Sequence, residues 1–88
     1  MNYASMLKSG IERNKISLMQ VSFRLAKKDL CIDKAVLSKL QNGKLPPAKD
    51  EVNIALAEIL GLDAIRFRLA AVRETIPEEL IKLIKEAG

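Results

Sequence analysis

The 88 residues suffice for one helical core, with 49 % hydrophobic side chains and 30 % charged ones. No apolar run approaches the ~18 residues that a bilayer-spanning helix needs, and no basic, apolar and cleavage regions follow one another near the start, so a cytoplasmic chain with no membrane partner is expected. A single cysteine, Cys31, and no histidine exclude an internal disulfide and a zinc site, and no cofactor is expected.

The net charge of +4 is unevenly spread: residues 1–49 carry ten Lys/Arg and three Asp/Glu, residues 50–88 five and eight. This segregation points to one basic surface aimed at a polyanion rather than to loose adhesion all round. Within the basic half, Tyr3, Leu7 and Ile11 recur at four-residue spacing and predict an amphipathic helix to about Asn14, with Asn2 as its cap. Gly10 inside it costs up to about 1 kcal/mol against alanine and therefore implies close packing. Ser17-Leu-Met-Gln20 is a capping box, and Ile16 can staple onto Val21, so a second helix starts there. Leu18, Val21 and Leu25 form its inner stripe, while Phe23 points away and is expected to meet the first or fourth helix. The free N–H groups and positive dipole end of this helix suit a phosphate, with Ser17 and Gln20 as ligands, as well as a simple cap.

Lys27–Ile32 must be a turn, in which Asp29 is expected to take the left-handed conformation that glycine adopts more easily. Leu30 and Ile32 are expected beneath it, and Cys31 is read as a small buried hydrophobe. From Asp33 to Gly43 the chain forms a short capped helix with two unlike faces. Val36, Leu37 and Leu40 fall on one side; Lys34, Ala35, Ser38, Lys39 and Asn42 fall on the other. Small side chains and cations without a bulky hydrophobe suit close approach to the DNA major groove, and a solvated face is the plainer alternative.

The loop after it holds Asn42, Lys44, Pro46, Pro47 and Lys49. Asp50 is expected to cap a fourth helix that stops at Gly61, and Asp63 a fifth. The fifth helix has two apolar stripes, Ile65/Leu69/Val72 and Ala64/Phe67/Ala71. Thr75-Ile-Pro-Glu78 reads as a second capping box, opening a sixth helix lined by Ile76, Leu80, Leu83, Ile84 and Ala87. Two apolar faces imply that the fifth helix is covered by the last helix or by a second copy, and Phe67, Ala71, Leu80, Leu83 and Ile84 are the candidates for a homodimer interface.

Leu37-Ser-Lys-Leu-Gln-Asn-Gly-Lys44, the Pro46-Pro47 loop and Leu56-Ala-Glu-Ile-Leu-Gly-Leu62 together resemble the phage repressor and Cro class of helix-turn-helix regulators, the lambda repressor-like or Xre type, over about residues 14–63. The resemblance implies an all-α, compact bundle of five to six short helices. Residues 1–88 would be one domain, with the helix-turn-helix at about 17–43 and packing or dimerisation helices at about 63–88. It also implies a sequence-specific regulator, a phage or prophage repressor or Cro-like protein, that binds double-stranded DNA as a dimer, without catalysis or a small-molecule ligand. Lys34, Ala35, Ser38 and Lys39 would then approach bases, and Ser17, Gln20, Asn42, Lys44 and Lys49 phosphates.

The chain departs from the family pattern in its turn, which is one residue longer and lacks glycine, and in Gln41, where glutamate is usual. The alternative is a protein-interaction module that keeps the fold without specific DNA binding. An enzyme is disfavoured, because without histidine, metal spacing or a nucleophile motif there is little from which to assemble a site.

Overall fold

Local capping chemistry sets where most helices begin. The computed structural model describes residues 1–87 as six α-helices: α1 (Tyr3–Asn14), α2 (Leu18–Ala26), α3 (Lys34–Gln41), α4 (Asp50–Leu60), α5 (Ala64–Thr75) and α6 (Glu78–Ala87). No strand occurs among the described residues. The Asn2 side chain accepts from the Ser5 N–H, Ser17 from Gln20, Asp33 from Ala35 and Val36, and Asp63 from Arg66. Each bond satisfies a backbone donor that has no partner within its helix.

Two helix starts differ from the sequence reading. Lys49, not Asp50, is the N-cap of α4 and makes no side-chain cap bond. Asp50 is the first helical residue, and its carboxylate instead accepts from Arg68 of α5 at 2.9 and 2.8 Å. That bidentate bond holds the Asp50 carboxyl below its usual range. Thr75 likewise does not cap α6. Its hydroxyl donates back to the Ala71 and Val72 carbonyls, each at 3.1 Å, so α5 runs on through it and α6 opens at Glu78, after Pro77.

The turn between α2 and α3 closes as the sequence suggests. Asp29 has φ 61°, its N–H donates to the Ala26 carbonyl, and the Leu30 N–H donates to that of Leu25. This is the Schellman pattern with aspartate in the position glycine normally fills. Replacing Asp29 with glycine removes the left-handed strain of a Cβ-bearing residue, so Asp29→Gly is expected to stabilise the protein by about 0.5–1 kcal/mol. Thermal unfolding checks this as a rise in Tm of a few degrees.

The five helices α1 to α5 all contribute to the core. Leu7, Val21, Leu25, Leu37, Leu56 and Phe67 have no exposed surface, and Tyr3 stacks on Phe67 with ring centroids 4.6 Å apart. Gly10 lets α1 approach the chain after α4 closely: a Cβ there would lie 2.9 Å from Leu62 Cδ2. Beside it, the Asn14 amide donates to the Gly10 and Leu60 carbonyls at 2.6 and 2.8 Å, tying the two helix ends together. α6 contributes no buried residue, and no described helix is long and apolar enough to cross a membrane.

Three assignments are corrected. Cys31 is exposed, because the turn is held from below by the half-buried Leu30 and Ile32 on either side of it. Phe23 meets neither α1 nor α4; it is 61 % exposed on the outer surface of α2, with the Lys27 ammonium 4.8 Å from its ring centroid. Phe67 and Ala71, read as interface residues, are buried at 0 % and 6 % exposure, so the stripe they form packs inside the same chain.

Candidate nucleic-acid interface

α3 is anchored from behind and at both ends. Leu37 and Leu40 are buried and Val36 is half-buried, which commits one side of the helix to the core. Asp33 caps its start. At its end Gly43 takes φ 70°, with the Lys44 N–H donating to the Lys39 carbonyl at 2.8 Å and the Gly43 N–H to that of Leu40 at 3.3 Å. The Ser22 hydroxyl donates to the Ile32 carbonyl at 2.6 Å, which locks the start of α3 against α2.

With the inner side committed, Lys34, Ala35 and Lys39 are exposed together on the outer side, and Ser38 is half-buried beside them. None of the three salt bridges of the described residues involves Lys34 or Lys39. The outer face thus combines two free cations with small side chains. Asn42 behaves differently: its amide folds back to donate to the Ser38 carbonyl at 2.8 Å. It serves the helix end, and to reach a phosphate with that group it must first give up this bond.

The start of α2 has a complete capping box. The Ser17 N–H donates to Gln20 Oε1 at 2.8 Å and the Gln20 N–H to Ser17 Oγ at 3.1 Å. Both acceptors are used, which leaves the Ser17 hydroxyl proton and the Gln20 Nε2 group as outward donors. Ser17, Gln20, Arg24 and Lys27 follow one another at helical spacing and line a shallow depression of about 430 Å³, with Met19 and Phe23. Arg24 and Lys27 were not singled out from the sequence, although three- and four-residue spacing from Ser17 and Gln20 was the available signal.

Comparison with known protein families, with curated proteins and with solved structures gives no match. The functional reading therefore rests on these residues themselves.

The loop from Asn42 to Lys49 presents Lys44 and Lys49 to solvent. Its far end is held by a buried polar cluster that the sequence did not disclose. The Tyr3 hydroxyl donates to Asn53 Oδ1 at 2.6 Å, the Asn53 amide donates to the Ala48 carbonyl at 2.8 Å, and the Ala48 N–H donates to the Tyr3 oxygen at 3.4 Å. Burial pushes the Tyr3 hydroxyl up to about 12, so it stays a donor at neutral pH. A groove of about 490 Å³ between turn, α3 and loop is lined by Cys31, Ile32, Val36, Pro46 and Lys49, among others.

The two residue groups read as base and phosphate contacts thus lie on exposed surfaces, Ser38 only partly so; the turn couples the Ser17 and Gln20 end of α2 to α3, and Asn42, Lys44 and Lys49 follow α3 in the loop. The residues read as dimer contacts divide. Leu80, Leu83 and Ile84 are 49 %, 57 % and 62 % exposed, whereas Phe67 and Ala71 are inside. Ring stacking on Tyr3 decides which stripe of α5 turns inward, and leaves Ile65, Leu69 and Val72 outside.

Proposed function

We propose that this chain is a sequence-specific regulator that binds double-stranded DNA through a helix-turn-helix of the phage repressor and Cro type, with α3 laid in the major groove. The observation that carries the reading is the exposed Lys34, Ala35 and Lys39 face on a helix whose other side and both ends are fixed. A fixed helix with an unencumbered polar face can present the same donors to base edges at every encounter. Ser17 and Gln20 at the α2 terminus, with Lys44 and Lys49 in the loop, supply phosphate contacts that set its register, and Arg24 and Lys27 extend that row. Asn42 joins them once its amide is released from Ser38. Lysine is a point donor, so base preference rests partly on DNA shape as well. A cytoplasmic, dimeric repressor of phage or prophage type is the fullest form of this reading.

Selection from random duplex DNA at two salt concentrations tests it. Binding is expected to enrich a two-fold-symmetric site and to weaken with salt at a slope of about −0.9 per phosphate contacted. Removing Lys44 is expected to lower that slope by about one unit and to weaken all sequences alike. The exposed Met19 and Phe23 favour a second reading, a module that docks on a protein. Sequence-blind binding that ignores the phosphate-facing lysines would replace the first reading with that one.

A further inference from the structure

Two apolar surfaces of this chain are left open, and they complement each other. On α5, Ile65, Leu69 and Val72 are 69 %, 47 % and 43 % exposed; on α6, the exposed Leu80, Leu83 and Ile84 form a second stripe. Within α6 only Ile81 is even half-buried. A helix of ten residues is marginal in water without tertiary cover, so α6 needs a surface that its own chain does not provide. Beside its open stripe α5 carries Arg66 and Arg73, Arg68 on the other side being held by Asp50; α6 carries Glu79 and Glu86 beside its own stripe, with Glu78, Lys82 and Lys85 on its opposite face.

The spacing of these charges also agrees. Arg66 and Arg73 are seven residues apart on α5, as Glu79 and Glu86 are on α6, which is two turns or about 10 Å in both cases. Arg66 and Arg73 line an open groove of about 610 Å³ between α1 and α5, together with Met6, Leu69, Ala70 and Glu74, whose carboxylate accepts from the Tyr3 N–H at 2.8 Å. Arg66 lies 4.0 Å from the Asp63 carboxylate in an exposed pair that a docking glutamate must compete with, whereas Arg73 and the two glutamates take part in no ion pair among the described residues.

We propose that α6 of one copy docks on the open α5 surface of a second copy, and reciprocally, in a two-fold dimer. The six stripe side chains present on the order of 600 Å² per copy, and the stems of the flanking arginines and glutamates bring this close to the ~800 Å² per partner of a standard specific interface. A reciprocal exchange closes on itself, so the assembly stops at two copies. The proposal is independent of DNA binding, because the surfaces concerned are not those assigned to base or phosphate contact.

Complementation between two surface variants tests it, read by sedimentation velocity without DNA across a broad concentration series. One variant carries Leu83→Glu and Ile84→Glu, which disables the docking helix; the other carries Ile65→Glu and Leu69→Glu, which disables the receiving surface. All four positions are exposed, and circular dichroism confirms that both variants remain folded. The wild type is expected to dimerise and each variant alone to be monomeric. Their mixture should recover a heterodimer of reduced affinity, since one of the two exchanged contacts survives. A wild type that stays monomeric overturns the proposal. A variant that dimerises alone, or a mixture that stays monomeric, overturns the exchange of α6 onto α5.

Discussion

The protein with Lys34→Ala and Lys39→Ala is expected to fold as the wild type does and to lose most of its preference for a selected DNA site. Both side chains are exposed and unpaired, on the side of α3 opposite Leu37 and Leu40. Alanine also favours a helix at least as well as lysine, so Tm should hold or rise slightly. A good base contact is worth about 1–3 kcal/mol of discrimination, and lysine belongs at the low end of that range. The pair should therefore contribute roughly 2 kcal/mol, a thirtyfold loss of preference for the selected site over random duplex. Competition binding at fixed salt measures this ratio directly. An unchanged ratio would remove α3 from base recognition, whereas a uniform loss on all sequences would reassign both lysines to the phosphates.

Phe67→Ala is expected to be the most damaging single substitution to stability. The ring is fully buried and stacked at 4.6 Å on Tyr3, which itself holds the loop before α4 through Asn53. Truncating a buried phenylalanine costs about 3–5 kcal/mol, against a total of about 5–15 kcal/mol for a small domain. Urea denaturation at a concentration where the chain is monomeric should show the midpoint collapsing, while Ile65→Ala, two residues earlier on the exposed side of α5, shifts it there by less than about 1 kcal/mol. A stable Phe67→Ala protein that has lost self-association would contradict the inward placement of this ring. The two measurements separate the core stripe of α5 from its open one.

Much of the fold was legible because its signals are local. A cap is a bond between residues two or three apart, so Asn2, Ser17, Asp33 and Asp63 announce their helices without reference to the rest of the chain. The same holds for Asp29, whose left-handed backbone closes α2 onto carbonyls within five residues. The two failures at helix starts are also informative. Asp50 and Thr75 have the right chemistry for caps, but Arg68 engages the first from eighteen residues away, and the second bonds back into its own helix. A competing partner decided both.

The sequence by itself determined the all-helical architecture, the ends of most helices, and the division of α3 into an apolar side and a Lys34/Ala35/Lys39 side. Periodicity suffices there because only one side of α3 is apolar, and burial then has no choice. α5 has two apolar stripes, and periodicity is silent between them. Only the tertiary structure decided that Phe67 and Ala71 turn inward and Ile65, Leu69 and Val72 stay out, that Tyr3 and Asn53 meet across fifty residues, and that Phe23 and Cys31 face solvent. The physical reason is that each of these outcomes depends on which distant surface is available to cover an apolar group or answer a polar one. That availability exists only once the helices have come together.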